Sequence, residues 1–188
     1  MSRFCGLLFT LALFAVVFLP SCKDDGKLGV ASRISASTMP SMSTVNVSTL
    51  ISDSGITQYK IVSPLWNVYD EVDTPYWSFP KGLYLQKFDR KFNVVATVAA
   101  DSARFFKNQN LWRLDGNVEL AKVPGELFLT QQLFWDQRRN QIYSDSFIHI
   151  ETPDRMLEGY GFESNDRLTQ YTIRRPTGIF PVDESMRR

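Results

Sequence analysis

Hydrophobic and polar residues alternate along most of the chain. The stretch "NLWRLDGNVEL" shows this most clearly, because Trp112, Leu114, Val118 and Leu120 share one face and polar residues occupy the other. A period of two is typical of a β-strand that buries one side. The alternation continues through the following runs and assigns more apolar residues to the inner face, namely Leu127, Leu129, Leu133, Trp135, Ile142, Ile148 and Ile150.

Clusters of Gly, Asn, Asp and Pro separate these runs. They fall at residues 80–82, 107–110, 124–125, 138–140 and 152–154. Such clusters mark turns between strands. Beyond the apolar N-terminus, no stretch shows the 3.6-residue period of a helix. The pattern therefore predicts an all-β chain.

The strands also repeat in pairs. A shift of about 30 residues aligns equivalent positions, matching Asn110 with Asn140, Asp115 with Asp145, and Val118 with Ile148. Units of two strands that stack in series bury their apolar faces against their neighbours. A stack of this kind has strand edges at both ends, and a free edge can pair with another chain.

The N-terminus has the features of a bacterial lipoprotein signal. Arg3 precedes an apolar run over residues 7–19, and the sequence Leu-Pro-Ser-Cys ends at Cys22. The run is shorter than the roughly 20 residues that cross a membrane as a helix. We predict a signal peptide at 1–21, a lipidated Cys22 with a polar tether at 22–44, an ordered domain at 45–182 and a tail at 183–188. A retained membrane-spanning anchor is the alternative.

Composition and motifs give little support to other classes of function. The net charge of +1 provides no basic surface for nucleic acid. The single histidine, His149, lies on the outer face between two inward isoleucines, and no phosphate-binding loop or metal-ligand spacing is present. We therefore predict no catalytic residue, no metal site and no cofactor. Removal of the leader would leave Cys22 as the sole cysteine, so we expect no internal disulfide.

The four tryptophans allow two interpretations. Trp66, Trp77, Trp112 and Trp135 lie in or beside predicted strands. They could fill a closed β-sandwich core, or some could line an open groove that binds acyl chains. Core and groove residues alternate identically, so the pattern does not separate the two.

Several segments resemble the LptC family, the periplasmic component of lipopolysaccharide export. The resemblance covers residues 45–182 and is carried by "ISDSG", "FPKGLYLQKFD", "AADSARFF", "LWRLDGNVEL", "GELFLTQQLFWD", "IYSDSFIHI" and "GYGFESN". It implies a β-jellyroll of two facing antiparallel sheets that open into a V. It also implies a non-enzymatic protein that accepts lipopolysaccharide from an inner-membrane ABC transporter and passes it to an LptA-like partner.

The resemblance further implies a groove for the acyl chains of lipid A and an edge for the partner. We expect the groove to involve Trp112, Leu114, Val118, Leu120, Leu129, Leu133, Trp135, Ile148 and Ile150. The partner edge would consist of Tyr171, Ile173, Gly178, Ile179 and Phe180, and the opposite edge of Val45, Val47 and Ile51. Arg174 and Arg175 could contact lipid phosphates or lie solvated on the surface.

The expected location is the periplasmic side of the inner membrane, with the outer membrane as a less favoured site for the lipid anchor. A surface or periplasmic β-sandwich lipoprotein that binds protein or glycan is the competing interpretation. That protein would have an ordinary closed core.

Overall fold

The computed structural model describes residues 39–177; the predicted signal peptide, Cys22 and the predicted edge residues Gly178, Ile179 and Phe180 lie outside this part of the chain. The described residues form eleven β-strands and a short 3₁₀ turn at Lys107–Gln109. The strands are β1 (Met42–Asp53), β2 (Ile56–Tyr69), β3 (Tyr76–Phe79), β4 (Leu83–Phe88), β5 (Val94–Ala100), β6 (Ser102–Phe106), β7 (Leu111–Lys122), β8 (Glu126–Asp136), β9 (Gln141–Thr152), β10 (Arg155–Asn165) and β11 (Tyr171–Thr177). No helix within residues 39–177 is long and apolar enough to cross a membrane.

The strands form one antiparallel meander. β3 and β4 lie end to end along β2, while β6 and β5 lie end to end along β7. From β7 onward, each strand pairs with the next one in the sequence as far as β11. The prediction of an all-β chain is confirmed. The break at residues 80–82, however, interrupts the path from β3 to β4 without reversing the chain, since both strands pair with β2.

A row of kinks runs across the middle of the meander. The pairing register shifts between Asp115 and Val118 in β7, and again between Tyr160 and Phe162 in β10. The interruption between β3 and β4 lies in the same row. Because an extra residue bends a strand and increases its twist, these kinks fold the meander into two layers. We call layer A the part that contains β4, β5 and residues 118–122 of β7, and layer B the part that contains β3, β6 and residues 111–115 of β7.

The two layers face each other across an apolar interior. The ring of Tyr59 in layer A meets the ring of Trp135 in layer B edge-on at 5.7 Å, although β2 and β8 are not neighbours in the sheet. Phe128 and Tyr171 make a similar contact at 6.0 Å between β8 and β11. The expected β-jellyroll architecture of two facing antiparallel layers is confirmed.

Buried hydroxyl groups hold the kinks together. Ser63 Oγ donates a hydrogen bond to the carbonyl oxygen of Gly82 at 2.7 Å. Ser144 Oγ donates to the carbonyl of Gln132 at 2.6 Å, and Thr130 Oγ1 donates to a third backbone carbonyl at 2.7 Å. A bulge removes ladder hydrogen bonds, and a buried carbonyl without a partner is costly. These side chains replace the missing donors.

The core follows the predicted alternation closely. Val118 is 1% exposed, while Ile148 and Ile150 are fully buried. The predicted repeat is visible as well, because Asn110 and Asn140 both take left-handed backbone conformations in equivalent turns. The largest fully buried apolar side chains are Phe79, Phe162, Ile61, Ile148, Ile150 and Val118.

Two features of the prediction need correction. The first strand begins at Met42 rather than near Val45. Leu127 and Leu129, both predicted to face inward, point to the outer face. They lie opposite Ala121 and Glu119 on β7, and opposite Glu151 and His149 on β9. The reason for the second error is the kink in β8. It changes the side-chain alternation, so that the inward positions before the kink are Phe128 and Thr130, and those after it are Leu133 and Trp135.

Candidate functional site

An apolar cavity of about 240 Å³ lies between the two layers. Layer A contributes Leu83 and Leu85 from β4 and Val98 from β5. Layer B contributes Trp112 and Trp135 on the opposite side. The strand ends farthest from the kinks surround its opening, and the exposed Val123 lies in the turn between β7 and β8. The cavity is therefore the part of the jellyroll interior that communicates with solvent.

The predicted groove residues fall into three groups. Five line the cavity: Trp112, Leu114, Leu120, Leu133 and Trp135. Val118, Ile148 and Ile150 lie in the closed core near the kinks. Leu129 lies on the outer face, opposite His149. The sequence pattern identified the inner face, and the structure divides that face into an open part and a sealed part.

The structure also adds lining residues that the sequence did not single out. Leu83 and Leu85 alternate within "GLYLQKF", so their inward direction was visible in the pattern. Their position across the cavity from Trp135 depends on how the two layers meet, and no local sequence pattern shows this. Leu168 comes from the loop between β10 and β11, where no alternation of apolar residues indicated that it would face inward.

Charged side chains surround the mouth of the cavity. Lys87 and Lys122 line it near the ends of β4 and β7, and Asp166 and Arg167 line it from the loop after β10. Lys122 pairs with Glu126 at 3.2 Å. Lysines at such places pack their methylene groups on apolar surface and keep the ammonium group in water. The mouth therefore combines an apolar interior with a charged rim, in which Lys87, Lys122 and Arg167 exceed the carboxylates of Asp166 and Glu126 by one charge.

Tyr59 lies at the same mouth, where its ring meets Trp135. Burial raises the pKa of its phenol above the ordinary value, and the nearby negative charge of Asp166 raises it further. The hydroxyl therefore stays neutral at physiological pH.

The four tryptophans have different environments. Trp66 packs on Trp77 at 5.0 Å and on Phe79 at 5.8 Å, within a closed aromatic cluster. Trp112 borders both this cluster and the cavity. Trp135 lines the cavity, and its buried indole N–H has no hydrogen-bond partner among the described residues. The tryptophans therefore divide between the closed aromatic cluster and the wall of the cavity, and Trp112 borders both.

His149 lies on the outer face, as its position in the alternation predicted. Its Nδ1 is 2.6 Å from Glu158, and its Nε2 is 2.9 Å from Glu151. Hydrogen bonds to Glu151 and Glu158 raise the pKa of the imidazole above its usual value, and the charges of these carboxylates act in the same direction. The cluster is an ion-pair network on the surface and lies away from the cavity.

The first and last strands of the described chain are sheet edges. β1 pairs with β2, and β11 pairs with β10; neither has a second neighbour within residues 39–177. Tyr171 and Ile173 lie in β11, as the predicted partner edge requires. On the surface nearby, Arg174 pairs with Asp145 and Glu163, so this predicted phosphate contact is already occupied by carboxylates.

Comparison with known proteins decides the family. The sequence model of the family described as "Lipopolysaccharide-assembly, LptC-related" matches residues 7–175, which is most of the chain. The chain belongs to the LptC family. No curated protein sequence matches it significantly.

Membership in the LptC family agrees with the architecture and gives the process in which the chain acts. Proteins of this family belong to the lipopolysaccharide transport machinery and are periplasmic and associated with the inner membrane. The family binds lipopolysaccharide and acts as a transport component. The large antiparallel β structure is consistent with the family's jellyroll.

Proposed function

We propose that this LptC-family protein is a non-enzymatic bridge. It accepts lipopolysaccharide from the inner-membrane ABC transporter and passes it to an LptA-like partner. The lipid A acyl chains would occupy the space between layers A and B. The apolar cavity that opens between the layers is the observation that carries this proposal.

Acyl chains need such a space because water is a poor solvent for them. Each exposed methylene costs about 0.8 kcal/mol, so several chains cannot cross an aqueous compartment unshielded. Trp112, Leu120 and Leu133 offer an apolar surface at the depth that a chain would reach. Continuous contact with such a surface would lower the free energy of the acyl chains at each stage of transfer across the periplasm, and this does not require tight binding.

The rim of the cavity fits the rest of the ligand. Lys87 and Arg167 place positive charge where a phosphorylated head group would remain in water, while Lys122 is already paired with Glu126 and Asp166 offsets part of the charge. Ammonium and guanidinium groups form strong charge-assisted hydrogen bonds with phosphate. An acidic rim would have favoured a different amphiphile.

The edge strands support the partner assignments. An exposed edge can add a strand from another protein through main-chain hydrogen bonds. We assign the edge of β11 to the LptA-like partner, together with the predicted edge residues Gly178, Ile179 and Phe180 that follow it in the sequence, and the edge of β1 to the transporter. Acylation of Cys22 would hold the domain at the periplasmic face of the inner membrane.

A pair of alanine substitutions on one strand tests the proposal. Ala96 lines the cavity, whereas Ala99 lies on the outer face of β5, opposite Tyr84 and Glu119. Ala96→Trp should fill the cavity, and Ala99→Trp should leave it open. The readout is the amount of lipopolysaccharide that copurifies with the full-length protein from membranes.

We expect Ala96→Trp to reduce copurified lipopolysaccharide at least several-fold and Ala99→Trp to retain the wild-type amount. Circular dichroism would establish that both variants fold. Equal retention by the two folded variants would reject the cavity as the acyl-chain site.

A further inference from the structure

The cavity is small for the ligand that it is proposed to take. Its volume of about 240 Å³ falls below the roughly 300–1,000 Å³ of sites that hold drug-sized molecules. A lipid with several acyl chains is larger than such molecules. The cavity therefore admits only part of such a lipid unless a side chain that now fills the interior moves.

Leu168 differs from the other residues that line the cavity. Leu83, Leu85 and Leu120 belong to strands, whose main chain is fixed by ladder hydrogen bonds. Leu168 instead belongs to the loop between β10 and β11, and its side chain reaches into the core and is only 5% exposed. The flanking residues Arg167 and Thr169 are exposed. A single apolar side chain thus enters the cavity from a loop that otherwise faces solvent.

The backbone of Leu168 is also in an unfavourable conformation. Its φ angle is 56°, in the left-handed region that residues with a Cβ rarely adopt. Burial of the side chain compensates for this conformation while the cavity is empty. The strain would be released when the side chain leaves.

A small set of hydrogen bonds holds the loop to the end of β10 and to one neighbouring turn. The amide of Asp166 donates to the carbonyl oxygen of Asn140 at 2.9 Å, and the amide of Leu168 donates to the Asn165 carbonyl at 3.1 Å. The amide of Thr169 donates to Asn165 Oδ1 at 2.9 Å, and Ser164 Oγ donates to the Gln170 carbonyl at 2.9 Å. Withdrawal of Leu168 from the cavity would break the bonds of the Asp166 and Leu168 amides, and water can replace them because the loop lies at the surface.

We propose that Leu168 is a displaceable plug that occupies the acyl-chain site until a lipid chain takes its place. This inference rests on the proposed function, because the chain that replaces Leu168 belongs to lipopolysaccharide. A few methylenes of the chain would cover the apolar surface that Leu168 now covers, so the exchange requires little net burial. Since the loop leads directly into β11, displacement would also reach the edge assigned to the partner.

A matched pair of leucine substitutions separates a plug from an ordinary lining residue. Leu85 and Leu168 both line the cavity, and both are 5% exposed. Truncation of a lining residue removes contacts with the ligand, whereas truncation of a plug removes its competitor. A photo-crosslinking amino acid at Val98 would report lipopolysaccharide in the cavity of the full-length protein in cells.

We expect Leu168→Ala to raise labelling of lipopolysaccharide about 3- to 10-fold and Leu85→Ala to lower it. Equal changes in the same direction would overturn the plug. The absence of labelling in the otherwise unmodified protein would instead reject the proposed function itself.

Hydrogen exchange on the unsubstituted, full-length protein provides a second measurement that does not depend on the stability of a variant. Lipopolysaccharide should speed exchange of the amides of Asp166 and Leu168, because their present hydrogen bonds break when the loop moves. Amides in β7 and β8 should exchange at the same rate or more slowly. Slower exchange at Leu168 in the bound protein would contradict displacement.

Discussion

The attachment of β11 depends on a glycine that faces it. A Cβ added at Gly159 would lie 2.4 Å from the carbonyl oxygen of Arg175 and 2.5 Å from Cγ2 of Ile173. It would also lie 2.8 Å from Cα of Pro176. Two of these atoms belong to the backbone, so rotation of a side chain cannot relieve the contact. All three belong to β11, which is bound on one side only.

Gly159→Ala should therefore loosen β11 and leave the rest of the jellyroll folded. Overpacking of this kind costs about 1–3 kcal/mol, which corresponds to a loss of protection against hydrogen exchange of about 5- to 150-fold. We expect the loss at the β11 amides that bond to β10, which alternate along the strand with amides that point to the free edge. β7 and β8 should keep their protection, because β11 can separate without disturbing them.

Gly55→Ala is the matched control. Gly55 has a φ of +79°, and a Cβ there meets no atom within 4 Å. In this variant an alanine with a left-handed backbone conformation destabilises the turn between β1 and β2. That turn lies far from β11, so β11 should keep its protection against hydrogen exchange. Undiminished protection of β11 in Gly159→Ala would refute the reasoning, and so would a uniform loss across β7–β9.

Three further predictions concern the core, the surface and the N-terminus. Ser144→Ala should destabilise the protein to urea by about 1–3 kcal/mol, because the buried carbonyl of Gln132 loses its donor; a change as small as that of an exposed serine would contradict this role. His149→Gln should lower stability by about 0.5–1 kcal/mol at acidic pH. The raised pKa of His149 makes this difference largest below pH 6.5 and diminishes it as pH rises through the folded-state value; urea titrations that show no pH dependence would argue against the ion pairs. Cys22→Ala should abolish incorporation of radiolabelled fatty acid and release the protein from membranes, and unchanged incorporation would favour a retained helical anchor.

The strands were predictable because their determinants are local. Trp112, Leu114, Val118 and Leu120 alternate within one strand, and the structure buries all four in the interior. Leu129 was assigned to the wrong face because a kink lies between it and Leu133. A bulge shifts the alternation by one residue, and neither Gln131 nor Gln132 signals such a bulge.

The division between closed core and open cavity was less predictable. Ile148 and Trp135 both occupy inward positions of the alternating pattern. Ile148 nevertheless lies near the kinks, whereas Trp135 lies near the open ends of the strands. The depth of a side chain in the interior depends on its distance from the row of kinks. The position of that row is a property of the whole meander. The burial of Leu168 was even less predictable from the sequence, because it depends on how the loop between β10 and β11 packs against the folded sheet.

The most direct test of the central claim compares two neighbouring positions on opposite faces of the sheet. Leu120 lines the cavity, and Leu129 lies on the outer face of the adjacent strand, paired with Glu119. Photo-crosslinking amino acids would be placed at each position in the full-length protein in cells that produce lipopolysaccharide. We predict lipopolysaccharide adducts from Leu120 and none above background from Leu129. Equal labelling from both positions, or labelling from Leu129 alone, would contradict transport of acyl chains between the layers.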